Sequence, residues 1–109
     1  MMAAGLNQSV AATDDSKPTT TITRELEICN KLGLHARASA KFVQTVEKFD
    51  ADVRVMCGHE SVGGTSIMGL LMLAAGPGTT ITIEASGPQA HEVMEALTTL
   101  ISGRFTEGE

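Results

Sequence analysis

The chain has no tryptophan, no tyrosine and only three phenylalanines, so its core must be filled by aliphatic side chains, alanines and six methionines. It has no apolar run of about 18 residues, which excludes an ordinary membrane-spanning helix. Basic residues are the minority charge, eight against thirteen acidic, with a formal net charge of −5. A nucleic-acid binder would need a basic patch, and that class is set aside. Cys29 and Cys57 are too few and too far apart for a metal cluster or a disulfide framework, and both are read as buried free thiols. The N-terminus lacks the basic-then-apolar pattern of a secretory leader, so a cytoplasmic location is expected.

The 109 residues present suffice for one domain with one modest core. Residues 1–20 are small and polar, closing with Pro18 and a run of threonines, and read as a disordered tail. The domain is expected over residues 21–104, followed by a short C-terminal tail at 105–109. From Ile22 the pattern changes: Ile22, Leu26 and Ile28 alternate with Thr23, Glu25 and Glu27, the period of a strand with one wet face. Val53, Val55 and Cys57 repeat it, Gly58-His59 makes a turn, and a weaker strand follows around Ser61 and Val62. A fourth strand is expected over residues 80–85, with Ile81, Ile83 and Ala85 inward.

Three helices fall between and after these strands. The first is expected over residues 36–49, with Phe42, Val43, Val46 and Phe49 at helical spacing. The third carries Ala90, Val93, Met94, Leu97, Leu100 and Ile101 on one stripe, with Pro88 suiting the first turn and Gly103 the stop. The second, over residues 66–75, is short and has two apolar stripes: Leu70, Leu73 and Ala74 on one face, Ile67, Met68, Leu71 and Met72 on another. A small core can take only one. The order β-α-β-β-α-β-α with alternating strands predicts an α+β fold: a two-layer α/β sandwich with an antiparallel or mixed sheet, one face covered by helices.

The chemistry concentrates at Gly33-Leu34-His35-Ala36-Arg37, between the first strand and the first helix. His35 falls at the helix N-cap or one step before it. The backbone N–H groups of Ala36, Arg37 and Ala38 are expected to point outward there, where the helix dipole favours an anion. A phosphate fits such a place, and the Arg37 guanidinium can clamp its oxygens. A neutral imidazole keeps a lone pair on one ring nitrogen and can attack phosphorus. Gly33 permits the tight turn that presents the ring. Most histidines do no chemistry, and an ordinary surface histidine is the competing reading. Metal binding is disfavoured, because His59 and His91 have no ligand-like neighbour at helical or turn spacing. No base, oxyanion hole or substrate pocket is marked for a hydrolase.

Gly33-Leu34-His35-Ala36-Arg37, followed by Ala40 and Phe42-Val43, resembles the active-site signature of HPr, the histidine-containing phosphocarrier of the bacterial phosphoenolpyruvate-dependent phosphotransferase system. A second block, Thr65-Ser66-Ile67-Met68-Gly69, resembles the family's regulatory serine site and stands in register, Ser66 lying 31 residues after His35. The resemblance implies an open-faced sandwich of four antiparallel strands covered by three helices. It implies that His35 receives a phosphoryl group on Nδ1 from enzyme I and passes it to an enzyme IIA, with Arg37 steadying the phosphate. It further implies that an HPr kinase/phosphorylase modifies Ser66. The stretches Glu27-Ile28, Asn30-Lys31-Leu32-Gly33 and Ser86-Gly87-Pro88-Gln89 look more like the nitrogen-related, NPr-like branch than the sugar-importing one. The family usually has proline directly after the arginine, where this chain has Ala38; alanine, a good helix former, is expected to preserve the helix start.

A serine starting a helix is first of all an N-cap, and capping by Ser66 is compatible with its phosphorylation. The Ile67, Met68, Leu71 and Met72 stripe is read as a docking surface, with a dimer contact or a differently turned core helix as its alternatives. The expected protein is a monomeric phosphoryl relay, not an enzyme, with no cofactor and no metal. Two other readings stay open: a regulatory binding module controlled at Ser66 with a vestigial His35, and a small hydrolase of acyl phosphates.

Overall fold

The computed structural model describes residues 21–106. The expected tail at 1–20 and residues 107–109 lie outside the described residues. Four strands form one sheet: β1 (Thr21–Glu27), β2 (Asp52–Cys57), β3 (Glu60–Gly63) and β4 (Thr80–Ser86). Their spatial order is β1-β4-β2-β3, and every pairing is antiparallel. Helices α1 (Ala36–Val46), α2 (Ile67–Leu73) and α3 (Ala90–Ser102) complete the βαββαβα order, followed by a short 3₁₀ turn, Arg104–Thr106. The chain is thus an open-faced two-layer α/β sandwich.

The period-two alternation sorts the sheet's faces. Val53, Val55, Ile81, Ile83 and Ala85 are buried against the helices, each full burial of a branched aliphatic contributing about 1.5–3 kcal/mol. Thr23, Glu25, Thr82, Glu84 and Arg54 lie on the other face, with Arg54 registered opposite Glu84 and Glu84 opposite Thr23. Ile22 and Leu26 are only half-buried, because β1 is an edge strand with a neighbour on one side.

Four expectations are corrected. Helix α1 ends at Val46 rather than near residue 49: the Lys48 and Phe49 amides bond to Thr45 and Val46 carbonyls, three residues back, so the last turn tightens and stops. Helix α2 stops at Leu73, and Ala74 is an exposed cap in the left-handed conformation (φ 53°, ψ 37°) rather than a core residue; the turn it makes sends Ala75 inward instead. Pro88 precedes α3, which starts at Ala90 after a turn tied to the segment between α1 and β2, the Gln89 amide donating to the Asp50 carbonyl (3.0 Å) and the Asp50 amide to Gln89 Oε1 (2.7 Å). Cys29 is exposed and Cys57 half-buried. Both thiols are free, but Ile28 takes the inward position and turns Cys29 out, its Sγ 3.2 Å from the Ile101 carbonyl oxygen.

A tail beginning at residue 105 is also corrected. Phe105 is fully buried in the core, although it and Arg104 both sit in the left-handed region (φ 55° and 57°). Such a conformation costs on the order of 1–3 kcal/mol per residue. Burial of the ring offsets it, and Lys41 Nζ donates to the Phe105 carbonyl at 2.6 Å. Among the described residues no helix is long and apolar enough to cross a membrane.

Candidate functional site

The loop from β1 to α1 is fixed before His35 is reached. The Ile28 amide donates to the Thr79 carbonyl (2.9 Å), and the Gly78 amide returns a bond to Ile28 (2.7 Å). Asn30 is buried, and its Nδ2 donates to the Gly33 carbonyl at 2.8 Å. Gly33 has φ +68°, and a Cβ there would lie 2.5 Å from the Ala75 carbonyl oxygen, so both conformation and space demand glycine. The next amide, Leu34, donates to that same Ala75 oxygen at 2.9 Å, and the Leu34 side chain is buried. The turn leading into α1 is therefore stitched to the chain that leaves α2.

His35 is the N-cap of α1, with extended φ and ψ of −79° and −178°. Its carbonyl accepts the first helical bond, from Ser39 (2.8 Å), and its Nδ1 accepts the Arg37 amide at 3.2 Å. A ring nitrogen that accepts cannot carry the proton, so the neutral ring is the Nε2–H tautomer with its lone pair on Nδ1. The expectation of three outward amides changes accordingly. Arg37's amide is taken by the ring, Ala38 is fully buried, and Ala36 is exposed. The Arg37 side chain is exposed and the His35 residue half-buried. Ala38, where the resemblance leads one to expect proline, leaves the helix start at Ala36 intact.

Two surface clefts of about 450 and 470 Å³ lie elsewhere, one around Arg54, Gly64 and Glu84, the other around Phe49, Glu95 and Leu100. His35 lines neither of them. Among the described residues no three His, Cys, Asp or Glu side chains gather to hold a metal, and His59 and His91 are exposed.

Ser66 caps α2, its Oγ accepting the Gly69 amide at 3.0 Å. Leu70 and Leu73 turn into the core, leaving Ile67, Met68 and Met72 exposed by 40, 67 and 76 %. Leu71 is half-buried, so the expected four-residue stripe presents mainly three. Leu32, 66 % exposed in the His35 loop, is a large apolar residue that periodicity does not flag, since a loop has no period. The closeness of Gly33 to Ala75 and Gly76 sets this loop against the exit of α2.

Comparison with known proteins agrees with this geometry. The family model described as "PTS HPr component phosphorylation site" matches residues 22–103. The phosphocarrier protein HPr of Neisseria meningitidis is 55 % identical over 86 residues, covering 79 % of this chain and 97 % of that protein. The phosphocarrier protein NPr of Shewanella violacea is 40 % identical over 88 residues, covering 81 % and 97 %. The crystal structure of HPr-C-His from Thermoanaerobacter tengcongensis superposes with a TM-score of 0.77 at 38 % identity, covering 81 % of this chain and 99 % of that one. A phosphorylation-site family spanning almost every described residue, and relatives matched over nearly their full length, lead to one conclusion: the chain belongs to the HPr family, the phosphocarrier proteins of the phosphotransferase system.

Proposed function

We propose that His35 accepts a phosphoryl group on Nδ1 from phosphorylated enzyme I and donates it to an enzyme IIA, the protein acting as a cytoplasmic, stoichiometric carrier without a cofactor. The observation that carries this reading is the N-cap bond from the Arg37 amide to His35 Nδ1, which keeps the lone pair on that nitrogen, two residues before an exposed arginine. For transfer, rotation of the ring releases the Arg37 amide. The Nδ1 lone pair then attacks phosphorus in line: a new N–P bond forms, the N–P bond on enzyme I's histidine breaks, and its electron pair returns to that ring. The freed Arg37 amide and guanidinium meet the phosphoryl oxygens, where helix dipole and charge both favour an anion. Donation to enzyme IIA is the same step in reverse. The partial exposure of His35 and the exposure of Ala36 and Arg37 beside it support this chemistry, because the reacting nitrogens of two proteins must come together in line.

Ser66 is proposed as a regulatory site for an HPr kinase/phosphorylase. A phosphate there keeps acceptor oxygens for the Gly69 amide but sets a dianion beside Ile67, Met68 and Met72, where it opposes an apolar or acidic partner. Leu71 lies at the margin of that docking surface.

Incubation with enzyme I and phosphoenolpyruvate tests the acceptor. Acid-labile phosphate is expected on the unaltered protein and on His59→Ala and His91→Ala, and none on His35→Ala. Labelling of His35→Ala at the unaltered level would remove His35 from the reaction.

A further inference from the structure

Among the described residues two polar side chains are fully buried, Asn30 and Ser39, each with 0 % exposure. They flank His35 in the sequence and turn to the two carbonyls that lead into it. Asn30 Nδ2 donates to the Gly33 oxygen at 2.8 Å, and Ser39 Oγ to the Leu34 oxygen at 3.4 Å. The Gly33 oxygen also receives the His35 amide at 2.9 Å, and the Ser39 amide holds the His35 carbonyl at 2.8 Å. The two peptide carbonyls that precede the histidine are thereby held by side chains that solvent does not reach, and its own carbonyl by a helix amide.

We propose that Asn30 and Ser39 are positioning residues of the phosphoryl relay, orienting His35 through the Gly33 and Leu34 carbonyls without touching the phosphate. This rests on His35 being the acceptor. Replacing a buried hydrogen-bonding group by an apolar one of similar shape is often close to neutral for stability when the remaining partners stay satisfied. Here the Gly33 oxygen keeps the His35 amide, and the Gly33 amide keeps the Asn30 carbonyl (3.3 Å), when the Asn30 side chain is replaced. What the side chains add is the angle of two successive peptide planes, and so the direction in which the His35 Cα–Cβ bond projects. Three or four bonds out, at Nδ1, a small rotation of those planes becomes a displacement of the lone pair from the in-line path. A misplacement of about 1 Å is enough to slow a transfer by up to roughly 100-fold.

The test uses Asn30→Leu, close to asparagine in size, and Ser39→Ala, each in the full chain. Enzyme I-dependent phosphorylation gives kcat and KM, thermal unfolding gives Tm, and the ¹⁵N chemical shifts of the His35 ring report which nitrogen carries the proton. Expected are a fall in kcat of about tenfold for Asn30→Leu and a smaller one for Ser39→Ala, with KM within about twofold, since the docking surface is untouched. The ¹⁵N signals should move from the Nε2–H pattern toward a mixture of tautomers. Rates within about twofold of the unaltered protein with unmoved ¹⁵N signals would overturn the proposal. So would a kcat defect that vanishes on cooling well below Tm, which marks a structural role only. Should Asn30→Leu fail to fold, Ser39→Ala carries the same readouts. Absence of phosphate at His35 in the unaltered protein would strike the acceptor reading instead, while the ¹⁵N signals of the variants still report whether the ring is held.

Discussion

A methyl group added at Gly33 would meet the Ala75 carbonyl oxygen at 2.5 Å and occupy a backbone with φ +68°. Strain of that kind costs on the order of 1–3 kcal/mol. Gly33→Ala is expected to lose about that much stability in urea unfolding and to break the Leu34–Ala75 bond that seats the turn; an unchanged midpoint would mean the loop relaxes freely. The need for a tight turn beside the histidine is readable from Gly33 itself. The clash is not, because Ala75 is brought there by the path of α2 and its left-handed cap. His35 divides in the same way. A histidine at a helix start is visible in the sequence, while the bond that commits its Nδ1 to the Arg37 amide, and with it the tautomer, depends on a ring angle that only the folded loop sets.

At the scale of the element, α2 carries two duties on seven residues. Leu70 and Leu73 hold it to the core, Ser66 caps it, and Ile67, Met68 and Met72 face outward. Cap and regulation can be separated by substitution. Ser66→Ala removes the acceptor for the Gly69 amide and is expected to cost about 1 kcal/mol, read as a lowered Tm, with phosphotransfer unchanged at temperatures where the protein is folded. Ser66→Asp keeps an acceptor and places a negative charge at the helix start, so stability should hold while enzyme I binding weakens; equal affinities for enzyme I would remove Ser66 from regulation. The two apolar stripes of this helix are legible, as is the rule that one must face out. Which stripe wins was decided by β3 and α1, against which α2 packs.

Across the whole molecule, the C-terminal end of the described chain closes the core. Phe105, one of only three aromatic residues, lies wholly inside, and Lys41 of α1 reaches its carbonyl. Phe105→Ala leaves a cavity that aliphatic neighbours cannot fill, and a loss of about 3 kcal/mol or more in denaturant unfolding is expected, with a fall in Tm of many degrees. A Tm within about a degree of the unaltered protein would return residue 105 to the status of a tail. The sequence by itself determined the element order, the inward face of the three longer strands, and the helix start that carries His35 and Arg37. These follow from periods of two and of about 3.6 residues and from local backbone chemistry, all written within a few positions. Only the tertiary structure decided that Asn30 and Ser39 hold the approach to His35, that Leu32 and Cys29 face solvent, that Ala74 caps rather than packs, and that Phe105 belongs to the core. Cys29 and Phe105 are placed by contacts between segments distant in the chain, while the Asn30 and Ser39 bonds are short in sequence but belong to a loop that is seated only by its contact with Ala75; no local period records either.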